Sequence, residues 1–194
     1  MRVHKRLLVG SLLVSAVASA AIGWAIAASG DGGRADDTVV IDGSDVTFQQ
    51  PSLGTNAAIE GDAFPTVEVQ TLQGDAFATA ELLGQPLVIN IWGSTCGPCK
   101  AELADFAAVH IEYGEQVRFV GIDFLPPSDR EEEFARDRGV QYELYYDTNG
   151  EFITTAGISA FPVTLFVADD GTILRQTGQL DADRLRSLIE SDLL

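Results

Sequence analysis

Short apolar segments recur along the last two thirds of the chain and predict alternating strands and helices. The most continuous is 87–92 (Leu-Val-Ile-Asn-Ile-Trp), which is typical of a strand buried on both faces of a sheet. Further strands are predicted at 66–70, 117–123, 144–146, 161–167 and 172–176. Helices are predicted from Cys96 to about Tyr113, over 128–138, briefly before Gly157, and from Asp181 to the C-terminus, with a helical turn over 79–83.

Turn and cap residues punctuate these elements. Ser128 followed by Glu131 has the spacing of a capping box, and Gly139 ends the same helix. Asp170-Gly171 between two strands is a strong hairpin signal. After residue 87 the order is β-α-β-α-β-β-α, which predicts parallel strands joined by helical crossovers, then an antiparallel hairpin and a covering helix.

The N-terminal region has a different pattern. Residues 7–28 are uncharged and apolar or small apart from three serines, which is long enough for a transmembrane helix. Arg2, Lys5 and Arg6 precede the run, and the next basic residue is Arg34, so we expect a cytoplasmic N-terminus and an exported domain. The predicted organisation is a stub and signal anchor (1–28), a flexible acidic linker (29–60) and a folded domain (61–194).

A cleaved signal peptide is the main alternative to the anchor. Ala18-Ser19-Ala20 resembles a cleavage site, but the apolar run continues through Ile26 and exceeds an ordinary signal-peptide core. We therefore favour an uncleaved, single-pass anchor in the cell membrane. Both alternatives place the domain outside the cytoplasm.

Charge narrows the function further. The formal net charge of the chain is −17. Three of its basic residues precede the apolar run, so the part of the chain after the run is more acidic than the whole. Nucleic-acid binding needs a basic surface, so this charge argues against it.

Cys96 and Cys99, the two cysteines of the chain, are separated by two residues at the predicted start of a helix. A cross-link this short restricts little of the unfolded chain, so redox chemistry explains it better than stabilisation. Unpaired N–H groups and the helix dipole favour a thiolate at Cys96. We interpret Cys96 as the nucleophile and Cys99 as the thiol that resolves the mixed disulfide.

These motifs resemble those of the thioredoxin superfamily, and more closely the TlpA-like membrane-anchored thiol–disulfide oxidoreductases, which include the cytochrome c maturation reductases. The resemblance spans roughly residues 61–194. It depends on the strand 87–92, Cys96-Gly97-Pro98-Cys99, Glu102, Phe161-Pro162, the 169–172 hairpin and the extra helix near 129–138. It implies a thioredoxin fold, with a mixed central sheet, helices on both faces and an inserted helix.

The resemblance also implies roles for individual residues. Pro162 corresponds to the cis-proline that faces the cysteine pair, and Phe161 would present its backbone to an extended substrate. The chain departs from the pattern at Thr95, where an aromatic residue is usual, and at Ala104, where proline is frequent. Trp92 is expected mainly to pack beneath the cysteine turn, and together with Phe161 it is a candidate for substrate contact.

Glu102 is a candidate proton relay. Asn90 occupies the position of the buried aspartate of thioredoxins and cannot titrate, yet Cys99 must lose a proton when it resolves the mixed disulfide. Glu102 lies one helical turn beyond Cys99, where a desolvated carboxyl group could exchange that proton and raise the thiol pKa. The alternative is an exposed glutamate that only complements the helix dipole.

Four alternative functions would account for the same cysteines. A copper or zinc carrier needs further ligands, and His110 lies about 16 Å beyond Cys99 along a helix at 1.5 Å per residue. A thiol peroxidase is a second class, but the Pro-x-x-x-Thr-x-x-Cys pattern is missing before Cys96. A binding module with an idle cysteine pair is the third, and a disulfide-forming oxidant of the same fold also remains open.

Taken together, the sequence predicts an extracytoplasmic enzyme that reduces disulfides in exported proteins. It needs no cofactor, because the cysteines carry the electrons. A membrane thiol-electron transporter is the implied donor, and oxidised apocytochrome c is one implied substrate.

Overall fold

The computed structural model describes residues 56–194. Within this range the chain forms one seven-stranded mixed sheet with the strand order β2-β1-β5-β4-β3-β6-β7. The strands are β1 (Glu68–Gln70), β2 (Ala76–Ala78), β3 (Leu87–Trp92), β4 (Arg118–Asp123), β5 (Glu143–Tyr146), β6 (Val163–Val167) and β7 (Ile173–Thr177). The α-helices are α1 (Gly97–Tyr113), α2 (Asp129–Arg136), α3 (Glu151–Thr155) and α4 (Ala182–Asp192), and a 3-10 helix covers Thr79–Leu82.

The predicted mixed sheet is confirmed. Strand β3 pairs in parallel with β4, which pairs in parallel with β5, and both connections run through a helix. Strand β6 is antiparallel to β3, and β7 completes the hairpin. This topology places the C-terminal end of β3 beside the start of β6, with Ile91 opposite Val163.

Alternate residues of β3 serve two hydrophobic cores, as the two-residue period of a strand requires. Leu87, Ile89 and Ile91 contribute to a core that also contains Leu82 of the 3-10 helix and Phe152 of α3. The opposite core includes Val88 and Trp92 of β3 with residues of α1, α2 and α4, namely Leu103, Phe106, Ala135, Leu185 and Ile189. Helices therefore cover both faces, and all six residues of β3 are buried.

The structure differs from the predicted elements at the edge of the sheet. Strand β2, after the turn at Gly74-Asp75, was not predicted; it pairs with β1 and has only one apolar aromatic residue, Phe77. That side chain stacks on Tyr145 of β5 with ring centroids 4.3 Å apart, so a tertiary contact rather than a local pattern supports the strand.

Packing against the domain begins before Gly61, the predicted start of the folded domain. The side-chain oxygen of Asn56 accepts hydrogen bonds from the N–H groups of Ser159 and Ala160, both at 2.8 Å, and Ile59 is buried in the first core. The predicted membrane anchor and nearly all of the predicted linker lie outside the described residues. None of the helices in residues 56–194 has the length and apolar character that a membrane span requires.

Candidate active site

The two cysteines form a disulfide at the N-terminus of α1. Cys96 is the N-cap residue, and its sulfur accepts a hydrogen bond of 3.2 Å from the backbone N–H of Cys99. Cys96 is partly exposed, whereas Cys99 has no exposed surface. When the pair is reduced, Cys96 is therefore the sulfur that another protein can reach, and the helix N-terminus favours its thiolate.

The Phe161–Pro162 peptide bond is cis, as the resemblance implied. It immediately precedes β6, whose first residue lies opposite Ile91 near the end of β3. The pairing of β3 with β6 thus places this loop beside the strand that leads to the cysteines. Pro162 is buried, while Phe161 is partly exposed and packs against the core that Cys96 also contacts.

Glu102 is buried on α1, with 1% of its surface exposed, so the alternative of an exposed glutamate is wrong. Its Oε1 accepts a hydrogen bond of 2.7 Å from the side-chain amide of Asn90, and its Oε2 accepts one of 3.1 Å from the N–H of Leu180. Burial raises the pKa of Glu102 to about 7 against the opposing effect of these two hydrogen bonds. A carboxyl group with this pKa exchanges protons near neutral pH, as a relay to Cys99 requires.

Trp92 has no exposed surface, which corrects one of its predicted roles. Its ring stacks on Phe134 with centroids 6.2 Å apart and belongs to the same core as Cys99. A fully buried side chain cannot contact a substrate in this conformation, so substrate contact by Trp92 is not supported. The expected packing beneath the cysteine turn is what the structure shows.

Two further buried carboxyl groups, Glu131 and Asp123, were missed by sequence reasoning. Glu131 contacts the turn that precedes Cys96. The hydroxyl of Ser94 donates to Glu131 Oε1 at 2.6 Å, and its backbone N–H donates to Oε2 at 3.2 Å. Asp123, at the end of β4, is fully buried nearby. Burial, reinforced by the charge of Glu131, raises the pKa of Asp123 to about 8.

This arrangement corrects the predicted capping box. Ser128 does cap α2, accepting a hydrogen bond of 3.3 Å from the N–H of Glu131. The carboxylate of Glu131, however, extends to Ser94 rather than back to the N-cap N–H. A glutamate at the third helical position is consistent with both uses, and only the tertiary structure distinguishes them.

Phe124 is another residue that sequence reasoning missed. Its ring lies over Gly93, so close that a Cβ added at Gly93 would be 2.5 Å from the ring. The same ring contacts Phe161, with centroids 4.4 Å apart. Phe124 and Phe161, which belongs to the cis-proline loop, therefore form a pair of partly exposed aromatic rings, although the residue before Cys96 is a threonine.

The structure gives the cysteines no metal-binding partners among the described residues. No group of three histidine, cysteine, aspartate or glutamate side chains within 56–194 is arranged to hold a metal ion. His110 lies in the last turn of α1 and packs its ring against Phe119 and Tyr142. Burial lowers the pKa of His110, which fits a neutral ring packed among aromatic side chains.

Comparison with known proteins agrees with this geometry. A profile described as the AhpC/TSA family matches residues 60–176, which is more than half of the chain. The chain belongs to the AhpC/TSA family. The match includes both cysteines, Glu102 and the cis-proline loop.

Proteins similar to this chain carry names that describe redox enzymes. Thiol-disulfide oxidoreductase ResA of Halalkalibacterium halodurans is 25% identical over 124 residues, 63% of this chain and 70% of the relative. ResA of Bacillus subtilis is 23% identical over 123 residues, 63% of this chain and 69% of the relative. The solved structure of MTB dsbF in mixed oxidised and reduced forms has a TM-score of 0.59 and 26% identity, covering 65% of this chain and 94% of that one.

The predicted thioredoxin-like fold and the predicted enzyme class are thereby confirmed. The chain is a thiol–disulfide oxidoreductase similar to ResA. The residues assigned to individual chemical steps stay predictions, and the structure brings Cys96, Cys99 and the Phe161–Pro162 loop to one end of β3.

Proposed function

We propose that this protein reduces disulfide bonds in exported proteins on the outer side of the cell membrane. The observation that carries the proposal is the asymmetry of the cysteine pair, with Cys96 partly exposed at a helix N-terminus and Cys99 fully buried on the same helix. An accessible thiolate can start the exchange, and a shielded thiol can finish it without reacting on its own.

The exchange proceeds in two balanced steps. The Cys96 thiolate attacks one sulfur of the substrate disulfide, forming a mixed disulfide and releasing the other substrate sulfur as a thiolate. Cys99 then loses its proton and attacks Cys96, which forms the Cys96–Cys99 disulfide and releases the second substrate thiolate. The substrate gains two electrons and the enzyme pair loses two, and Glu102 is the proposed acceptor of the Cys99 proton.

Substrate binding is assigned to the cis-proline loop. Phe161 is partly exposed beside the loop, and its backbone is positioned next to the end of the central strand. An extended substrate segment bound there would bring its disulfide to Cys96. The acidic surface that follows from a net charge of −17 favours substrates with basic residues near the disulfide.

Extracytoplasmic location is supported by the uncharged run 7–28 and the basic residues that precede it. A reductase in that compartment loses two electrons at each turnover, so it requires a membrane thiol-electron transporter as donor. Oxidised apocytochrome c, whose haem-attachment motif contains two cysteines, is one substrate of the right chemistry.

The direction of exchange is tested by the equilibrium potential of the Cys96–Cys99 pair in the full-length chain. A value near or below about −270 mV, as in thioredoxin, supports a reductase, whereas a value near about −120 mV, as in DsbA, identifies a disulfide-forming oxidant. Cys99→Ser should trap a mixed disulfide with oxidised apocytochrome c, and Cys96→Ser should not. Equal trapping by both variants would overturn the assigned roles.

Location is tested in spheroplasts of a bacterial host that expresses the full-length chain. A membrane-impermeant maleimide should label Cys96 after mild reduction, and the chain should sediment with membranes at its full length. A shorter chain in the soluble fraction would identify a cleaved signal peptide. Failure of the reagent to label Cys96 until the membrane is broken would contradict export.

A further inference from the structure

The carboxyl group of Glu131 holds the turn that leads to Cys96. Ser94 lies within this turn, after the end of β3, and donates both its hydroxyl and its backbone N–H to Glu131. Both side chains are buried. Hydrogen bonds to an ionised carboxylate are shorter and stronger than neutral ones, so this double contact fixes the turn relative to α2.

Asp123 is the third member of this group. It lies opposite Trp92 at the end of β4, has no exposed surface, and accepts a hydrogen bond of 2.8 Å on Oδ1 from the N–H of Leu125. Within residues 56–194 its Oδ2 has no hydrogen-bond partner, and the neighbouring carboxyl group of Glu131 raises the pKa of Asp123. Two buried carboxylates this close repel, whereas a single proton between them makes Asp123 the donor and Glu131 the acceptor.

The surrounding groups leave this proton in place at neutral pH. Burial is the largest cause that raises the pKa of Asp123 to about 8. Tyr146 of β5 is the neighbouring titratable group; its hydroxyl donates to Glu132 at 3.0 Å, and burial raises its pKa as well. Helix α2 has two cations: Arg136 is paired with Glu132 at 2.6 Å, and Arg130 is exposed.

We propose that Glu131 and Asp123, sharing one proton, are positioning residues for Cys96, because through Ser94 they hold the turn that presents the reactive sulfur. Loss of the shared proton loosens that hold. Since Glu131 belongs to α2, the helix between β4 and β5 acts directly on the reactivity of the cysteine pair. The inference depends on the proposed role of Cys96 as nucleophile.

The test measures the rate at which iodoacetamide alkylates Cys96 in the reduced full-length chain, from pH 5 to 10. The wild-type profile should show a break near pH 8, besides the thiol titration and the inflection near pH 7 that Glu102 causes. Asp123→Asn keeps a hydrogen-bond donor for Glu131 but cannot lose a proton, so it should remove this break and retain the neutral rate. Persistence of the break in Asp123→Asn overturns the shared-proton assignment.

The second variant tests the contact itself without changing charge. Ser94→Ala removes the hydroxyl that donates to Glu131 and should slow alkylation at pH 7 by at least about threefold, given the strength of hydrogen bonds to charged groups. Ser94→Thr, which retains a hydroxyl, should restore part of the rate. Glu133→Gln, an exposed neighbour on the same helix, is the control for charge and should match the wild type.

The outcomes separate this inference from the proposed function. Circular dichroism establishes that each variant is folded, and a folded Ser94→Ala with the wild-type alkylation profile overturns the positioning role. If peptide mapping shows that iodoacetamide modifies Cys99 before Cys96 in the wild type, the proposed nucleophile is wrong and the inference fails with it.

Discussion

The side-chain amide of Asn90 donates a 2.7 Å hydrogen bond to Glu102, joining the central strand β3 to helix α1 inside the protein. Asn90 cannot titrate, so the proton in this buried pair belongs to Glu102 alone. Burial raises the pKa of that carboxyl to about 7, and the interaction with Asn90 opposes the shift without cancelling it. A buried group that changes charge near neutral pH one helical turn from Cys99 can affect both thiols.

Glu102→Gln should therefore alter the titration of the cysteines. Removal of a negative charge stabilises the thiolates, so the thiol pKa values should fall, and the inflection near pH 7 caused by Glu102 should disappear. Resolution of a mixed disulfide by Cys99 should slow by about 100-fold if Glu102 is the proton acceptor. Thiolate absorbance at 240 nm measures the first effect, and quenched-flow measurement of substrate release measures the second.

The control for this substitution is Glu115→Gln, which removes an exposed carboxylate just beyond the same helix. It should leave thiol titration and resolution unchanged. Thiol titrations that are identical in wild type and Glu102→Gln would show that Glu102 has only a structural role.

Glu102 also makes the stability of the folded domain depend on pH. Its folded-state pKa is raised from 4.5 to about 7, so the folded protein holds a proton that the unfolded chain releases between these values. The stabilisation is complete below the unfolded pKa and is lost as pH rises through the folded pKa, with a slope of about 1.4 kcal/mol per pH unit. Glu102→Gln should remove this part of the decline.

Urea unfolding of the oxidised protein at intervals from pH 5 to 8 measures this dependence. The informative quantity is the difference between wild type and variant, because contributions from other titrating groups, such as His110 and Asp123, cancel in it. A difference that stays constant across this range contradicts the raised pKa of Glu102.

Gly93 is required for steric reasons that involve Phe124. Its backbone does not have a positive φ, so alanine meets no conformational penalty there. The new Cβ would instead lie 2.5 Å from the Phe124 ring, which also contacts Phe161. Gly93→Ala should lower the free energy of unfolding by about 1–3 kcal/mol, as overpacking typically does.

A second substitution distinguishes this explanation from a general intolerance of change in the turn. Phe124→Leu removes the ring, so the double variant Gly93→Ala/Phe124→Leu should lose less stability than the sum of the two single variants. Thermal or urea unfolding measures the stability of the wild type, the two single variants and the double variant, which together form a double-mutant cycle. Strict additivity would mean that Phe124 does not restrict residue 93.

The sequence predicted those parts of the site that depend on local pattern. The continuous apolar strand 87–92, the cysteine pair at a helix start and the Asp170-Gly171 hairpin each combine a short motif with one physical reason, and each lies where the pattern placed it. For Glu102 the sequence leaves both burial and exposure open, because helical spacing places it near Cys99 but does not show what covers it. Leu180, which does cover it, is 78 residues away in sequence.

The remaining parts depend on contacts between distant segments. Ser94 and Glu131 are separated by 37 residues, and the capping signal at Ser128 explained Glu131 without any reference to the active site. Strand β2 likewise exists because Phe77 packs on Tyr145. Polar residues in short loops have no periodic sequence pattern, so their hydrogen-bond partners can be identified only from the folded structure.

The N-cap of α4 should influence Glu102 from the opposite side. Asp181 accepts a hydrogen bond of 2.8 Å from the N–H of Arg184, and the preceding residue, Leu180, donates its own N–H to Glu102. Asp181→Ala should cost about 1 kcal/mol of stability, as loss of a cap usually does. The hydrogen bond from Leu180 lowers the pKa of Glu102. A frayed helix start weakens this bond, so the pKa of Glu102 should rise above 7.

Two substitutions serve as controls for this coupling. Asp181→Asn retains a capping oxygen and should leave the pKa of Glu102 nearly unchanged, while Asp183→Ala removes an exposed carboxylate from the first turn of the same helix without removing the cap. Infrared titration of the buried carboxyl group, with Glu102→Gln to identify its band, reports the pKa directly. If Asp181→Ala loses stability but the band titrates as in the wild type, the cap stabilises α4 without affecting Glu102 through Leu180.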